Sequence, residues 1–342
     1  MIYGHGDNAY EYGGQVKTDF SSNIPHFAEL GPLRQHLAEH LGLIASYPEP
    51  QARQLEELIA ADEGLTPSQV MVTAGATEAI YLVAQLYRGW ASVIPQPTFS
   101  EYEDACKMHA HIVSYYDNDD MEQLPPQRLY WLCNPNNPTG NVLMKELIGH
   151  LVRTHREYIF VIDQSYEDYT PCPMLRSSEM QDCHNLILLH SMTKRYCIPG
   201  LRLGYITASP VIIRQLRQLR QPWTVNALAI EAGHFLVGNH VDVLPRRQEY
   251  LDEAQRLHAE LSQLKGVNLM DSHANFMLAY LETANARDLQ TWLLRHHGML
   301  IRNASNFHGL DSHCFRVAAQ TPGEDDALVR AIAEFLDDPH VV

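Results

Sequence analysis

Apolar and polar positions follow two rhythms along the chain. Uninterrupted apolar runs at 70–73, 129–133, 158–163, 186–189 and 204–208 are too short for helices and read as buried strands. A shorter apolar pair at 93–94 opens another run, and a helical pattern fills 77–86. Strands alternating with helices predict an α/β fold with a mainly parallel, seven-stranded type of sheet covered by helices. Ahead of this region, Leu33, Leu37 and Leu41 form an i, i+4 stripe that predicts an amphipathic helix over 32–41. A proline-punctuated loop at 46–50 leads to a second helix running through Ile59. The tail repeats a smaller pattern: helix 241–264, strand 275–280, helix 287–296, strand 299–301, strand 314–318 and helix 323–336. We expect a large unit over 45–240, joined through a helix starting near Asn226 to a smaller α/β unit built from 241–342 with an arm over 1–44.

The polar residues that punctuate the strand ends carry the chemistry, because α/β folds bind ligands there. Lys194 lies between the runs ending at Leu189 and starting at Gly204, flanked by the hydroxyl of Ser191 and the fixed cation of Arg202. That spacing suits an anionic group beside a carbonyl, and pyridoxal phosphate carries both a phosphate and an aldehyde. Gly75, Ala76 and Thr77 form a small-residue turn into a helix, whose exposed N–H groups make a second phosphate contact. Phe99, with Tyr102 nearby, follows a strand and can stack on a flat ring or simply pack. The 134–140 loop holds three asparagines and two prolines, which leaves its amides available to a ligand. Asp163 ends an apolar strand, where a carboxylate requires a cationic partner or caps a helix, and Tyr166 follows three residues later. A protonated pyridine nitrogen is one such partner. Tyr47, set between prolines, either reaches a neighbouring site or packs. Arg316 interrupts an apolar strand and so requires an anion, for which a substrate carboxylate fits the guanidinium fork.

Composition narrows the picture. A chain of 342 residues, 45% hydrophobic, can bury a large core. Its formal charge of −16 opposes a nucleic-acid or anionic-membrane surface. No window is apolar enough to span a bilayer and residues 1–7 lack a signal pattern, so a soluble, cytoplasmic protein is expected. The six cysteines, at 106, 133, 172, 183, 197 and 314, have no C-x-x-C pair and read as reduced thiols. Nineteen histidines show no H-E-x-x-H or comparable spacing, and no metal is expected.

Taken together, Gly75-Ala76-Thr77-Glu78, 134–140, Asp163-x-x-Tyr166, Ser191-x-x-Lys194, Gly200-x-Arg202-x-Gly204 and Phe315-Arg316-Val317 resemble, in order, the motifs of fold-type I pyridoxal-phosphate enzymes of the aminotransferase class I/II group. Within the group the chain resembles the histidinol-phosphate aminotransferases. It is closer to the L-threonine-O-3-phosphate decarboxylases of cobalamin biosynthesis, through segments 5–8, 19–23, 198–205, 222–229 and 302–310. The resemblance implies a homodimer with a shared active site. Lys194 would bond the cofactor aldehyde, Asp163 would hold the ring nitrogen, and Asn137 with Tyr166 would hold the phenolic oxygen. Tyr47 would reach the partner subunit's cofactor phosphate. His5, Asn23, Arg302 and Arg316 would contact a phosphorylated amino substrate. Decarboxylation is the first expectation and amino transfer to 2-oxoglutarate the alternative. A DNA-binding regulator of this fold is not expected, since no helix-turn-helix or basic extension is present in the sequence.

Overall fold

The computed structural model describes residues 8–117 and 128–338. The first elements are β1 (Thr18–Asp19), α1 (Gly31–Glu39) and α2 (Arg53–Glu63). The leucine stripe of α1 is cut short: Leu33 is buried, but the α-helix stops at Glu39 and Leu41 begins an exposed 3-10 turn. The strand–helix alternation then runs β2 (Val70–Thr73), α3 (Gly75–Leu86), β3 (Ala91–Gln96), α4 (Glu101–Met108), β4 (Ile112–Asp117) and β5 (Leu129–Cys133). It continues through α5 (Lys145–Thr154), β6 (Ile159–Asp163), β7 (Leu186–His190), α6 (Met192–Arg195), β8 (Gly204–Ala208), α7 (Pro210–Leu219) and α8 (Ala227–Gly238).

These strands form one seven-stranded sheet in the order β2-β8-β7-β6-β5-β3-β4. β8 is antiparallel to both neighbours, so the other six strands point one way. Every residue of β2, β5, β7 and β8 is buried, as expected for strands covered on both faces. Alternate residues of β5 serve opposite layers: Trp131 packs with Ile80, Val83 and Ile212 of α3 and α7, while Tyr130 and Leu132 pack with Ile148 and Leu151 of α5. Cys133 is paired with Asp163 and Asp163 with Leu189, so the loops after β5, β6 and β7 leave the sheet side by side.

The tail holds α9 (Arg247–Leu261), β9 (Val267–Leu269), β10 (Phe276–Leu281), α10 (Ala286–His297), β11 (Met299–Leu300), β12 (Arg302–Asn303), β13 (Cys314–Ala318) and α11 (Pro322–Asp337). A four-stranded sheet runs β12-β13-β10-β9, and β11 pairs instead with β1. Two expectations are corrected here. The helix placed at 241–264 starts only at Arg247, because Pro245 cannot donate to a helical ladder and Val243 and Leu244 are buried ahead of it. The strand placed at 299–301 is split, with Met299 and Leu300 beside Thr18 and Asp19 while Arg302 turns onto Arg316 of β13. No described helix is long and apolar enough to cross a membrane.

β2, at one end of the main sheet, is tied to α2 and α7 through the buried carboxyl of Glu56. Glu56 of α2 accepts from Val72 N at 3.2 Å and from Arg217 Nη2 at 2.6 Å. Burial raises its carboxyl to about 7, against the opposing pull of Arg217. A raised folded-state value gives stability that is complete below the unfolded value of 4.5 and is lost as pH rises through about 7. Glu56→Gln should therefore gain on the wild type as pH rises from 4.5 to 7.5. Urea unfolding at both values checks this, and a difference that stays constant contradicts it.

Candidate active site

A cavity of about 300 Å³ opens at the carboxyl edge of the main sheet and is closed on its far side by the segment after β1 and by the small sheet. Ala76, Thr77, Phe99, Asn137, Asp163, Tyr166, Ser191, Lys194, Arg202, Arg302 and Arg316 all line it.

Lys194 sits on α6, a single helical turn rather than the expected open loop. Ser191 caps that turn, its hydroxyl accepting from Lys194 N at 3.4 Å, and Tyr169 donates its hydroxyl to the Lys194 carbonyl at 2.8 Å. The backbone is thus fixed while the side chain extends into the cavity, its Nζ 5.6 Å from the centre of the Tyr166 ring.

Beside it the N-terminus of α3 meets Arg202. Gly75 has φ +83°, and a Cβ there would stand 2.8 Å from Arg202 Nη2, so only glycine lets the guanidinium lie against the first turn. Gly204 approaches equally closely, since its Cβ would meet Ala76 N at 2.9 Å. Arg202 donates to Pro199 O at 3.2 Å and Thr193 Oγ1 at 3.5 Å and forms no ion pair among the described residues. A guanidinium, a helix N-terminus and the hydroxyls of Thr77, Ser191 and Thr193 together make an anion cradle.

Asp163 is buried at the end of β6. Its Oδ2 accepts from Tyr102 Oη at 2.8 Å, and its Oδ1 accepts from Ser165 N at 2.9 Å and Ser165 Oγ at 2.5 Å. Burial raises its pKa, while the Ser165 and Tyr102 donors and the charge of His190 lower it. Among the described residues no cationic side chain lies within ion-pair distance of it, and His190 acts on it only through its field. Tyr166 nearby is pushed up to about 12 by burial, with Arg316 acting in the opposite direction.

The asparagine loop differs from expectation. Asn134 exchanges hydrogen bonds with Leu143, and Asn136 is used by Thr98, Pro97 and Thr139, so both brace the loop and only Asn137 turns inward. Its Oδ1 accepts from Arg316 Nη1. Arg316 Nη2 donates to Ser21 O at 2.6 Å, and its buried Nε has no partner. Arg302 bonds Asn303 O and Asn306 Oδ1. The two arginines are register partners, 8% and 4% exposed, and neither forms an ion pair with a carboxylate among the described residues. Burial and the neighbouring Arg316 pull Arg302 down to about 9.

Asn23 is buried at φ +44° behind this wall. Its amide is near enough to Tyr166 to favour the phenolate, yet neither amide atom completes a hydrogen bond of good geometry. Tyr47 is not in the cavity: it is 84% exposed and packs on Trp223 with ring centres 5.1 Å apart. His5 lies outside the described residues. The cavity also takes in Ser22, Ser165, Thr193 and Phe307, which the sequence does not single out. Ser165 and Thr193 sit within two residues of Asp163 and Lys194, and that proximity was the available signal. Away from the cavity, His36, His40 and Glu231 bring donor atoms within 4.8 Å of one another, a ligand-like spacing that the sequence reading did not expect.

The chain is similar to several known proteins. The threonine-phosphate decarboxylase of Salmonella typhimurium is 28% identical over 93% of this chain and 91% of that protein. A histidinol-phosphate aminotransferase of Caldanaerobacter subterraneus is 31% identical over 85% of this chain and 84% of its own. The crystal structure of L-threonine-O-3-phosphate decarboxylase from Porphyromonas gingivalis superimposes with a TM-score of 0.91 at 35% identity, covering 94% of this chain and all of that one. Residues 15–332, from the strand that closes the cavity to the last helix, match the profile of a family whose enzymes depend on pyridoxal phosphate, and the chain belongs to that family, aminotransferase class I and II.

Proposed function

We propose that this chain is a pyridoxal-phosphate enzyme that decarboxylates a phosphorylated amino acid, with L-threonine O-phosphate as its substrate. The observation that carries the reading is the pair Arg302 and Arg316, two buried guanidiniums facing the cavity that form no ion pair with a carboxylate among the described residues, Asp19 acting on Arg316 only through its field. Such a pair is costly until an anion enters, and a substrate bearing both a phosphate and a carboxylate supplies two.

The residues present fit the cofactor. The cradle of Gly75, Ala76, Thr77, Ser191 and Arg202 would hold its phosphate, Asp163 its ring nitrogen, Asn137 and Tyr166 its phenolic oxygen, and Phe99 would lie against its ring. When bound, the cofactor supplies an aldehyde that condenses with the substrate amine and an electron-withdrawing ring that takes up the electron pair of a broken bond at Cα. Asp163 would lie against the ring nitrogen and, when ionised, would keep a proton on it. Lys194 covers the site with its amine and returns a proton to Cα once carbon dioxide has left. Arg316 grips the carboxylate and Arg302 the phosphate, while Asn23 offers its unused amide to the same substrate. Tyr47, exposed and packed on Trp223, serves the phosphate of a second copy in a homodimer. The division into a cofactor-binding unit over 45–240 and a smaller one from 1–44 and 241–342, and a cytoplasmic location, belong to the same proposal.

Gly75→Ala tests the cradle. The added methyl would displace Arg202, and affinity for pyridoxal phosphate should fall at least about tenfold, the equivalent of 1.4 kcal/mol. A spectral titration reads this directly, and unchanged affinity would argue against Arg202 as a phosphate ligand.

A second reading, amino transfer from histidinol phosphate to 2-oxoglutarate, is favoured by the aminotransferase relative. The arginine pair also suits the two carboxylates of 2-oxoglutarate, so the products decide. Given L-threonine O-phosphate and no keto acid, the protein should release carbon dioxide and aminopropanol phosphate in equal amounts. Threonine phosphate left intact, with histidinol phosphate consumed only when 2-oxoglutarate is present, would replace the first reading by the second.

A further inference from the structure

Helix α1 carries His36 and ends at its C-cap His40 one turn on, and the two imidazoles lie on one face with ring centres 4.2 Å apart. Against that face Glu231 of α8 directs its carboxylate: His36 Nε2 lies 2.7 Å from Glu231 Oε1 and His40 Nε2 lies 3.8 Å from it. With bonds of about 2.0–2.1 Å, a four-coordinate zinc ion spaces its donors by roughly 3.3 Å. Donor atoms already within 4.8 Å need only small side-chain rotations to reach that spacing.

The rings are oriented before any ion arrives. His40 Nδ1 is 2.8 Å from the His36 carbonyl oxygen. A carbonyl only accepts, so Nδ1 carries a proton, which leaves Nε2 as the nitrogen that would ligate, as the outer hydrogen bond of a ligating histidine does. His36 is stacked on Phe235 of α8 at 4.4 Å and packed against His40 at 4.2 Å, which fixes its plane. Side-chain exposures of 22%, 39% and 21% for His36, His40 and Glu231 leave a route for entry and room for water. His234, three residues on from Glu231, sits beside the carboxylate at 3.9 Å but outside the triad.

We propose that His36, His40 and Glu231 form a divalent transition-metal site that ties α1 to α8. Two imidazoles and one carboxylate from two helices, completed by water, match zinc rather than calcium or magnesium, which take oxygen donors. Binding replaces the His36–Glu231 hydrogen bond, and the Nε2 proton leaves or moves to Nδ1. Because α1 follows the segment that brings Ser21 and Ser22 to the cavity, the tie anchors the root of that segment.

The test uses chelator-treated, pyridoxal-phosphate-loaded protein titrated with zinc chloride against a chromophoric indicator, alongside thermal unfolding. Wild type should bind one zinc per chain with a raised melting temperature. His40→Gln, at the most exposed of the three positions, and Glu231→Gln should each weaken binding at least tenfold and lose the thermal gain. Cys172 and Cys314 are only partly buried and could take zinc themselves. Cobalt(II) distinguishes them, since thiolate ligation gives an intense near-ultraviolet band that nitrogen and oxygen ligands do not. Zinc binding and thermal gain that survive in both variants, no bound zinc, or a thiolate band with cobalt would each overturn the proposal.

Discussion

Lys194→Ala is expected to reduce turnover of L-threonine O-phosphate by at least about 10²–10⁴, the factor typical of losing a positioned acid or base. The turn that carries Lys194 is held by backbone groups, through the Ser191 cap and the Tyr169 bond to the Lys194 carbonyl, none of which involves the amine. Pyridoxal phosphate should still bind, because Arg202, Ser191 and the α3 N-terminus hold its phosphate independently of the lysine. Steady-state assays and a cofactor titration on the same preparation check both halves. Near-normal turnover would contradict the role given to Lys194.

Arg316→Ala should weaken the reaction with threonine phosphate by about 2–5 kcal/mol, the range for truncating one member of a buried charge pair. In kcat/KM this is a loss of roughly 30-fold to several thousand-fold. The variant also leaves Asn137 Oδ1 and Ser21 O without their donor, so part of any loss could come from a loosened wall. Histidinol phosphate separates the two effects, since it has a phosphate but no carboxylate. Its binding should be harmed much less than that of threonine phosphate if the guanidinium grips the carboxylate, and equally if the wall has merely loosened. Equal losses would remove Arg316 from the substrate site.

The strands of the main sheet were legible because burial on both faces demands continuous apolar runs, and 129–133 and 186–189 have few alternatives. The polar residues closing those strands were legible for the same reason, as Asp163 and Lys194 are poorly explained by packing. Features set by long-range pairing were not. Nothing local tells that Met299 and Leu300 pair with a strand some 280 residues earlier while Arg302 leaves for another sheet. Nor does the composition of the 134–140 loop reveal that Asn134 and Asn136 satisfy their own loop and only Asn137 faces inward. The arginine pair becomes visible only through the register of β12 against β13. The i, i+4 pair His36 and His40 was not recognised as a ligand spacing, because the carboxylate that completes the cluster is on α8, far along the chain.

The account rests on a cofactor held at one lysine, and the chain makes that easy to examine because it contains only five, Lys17, Lys107, Lys145, Lys194 and Lys265. Protein loaded with pyridoxal phosphate is reduced with borohydride, digested, and the labelled peptide identified by mass spectrometry. The account predicts stoichiometric label on the peptide containing Lys194, and label on another lysine, or on none, would contradict it.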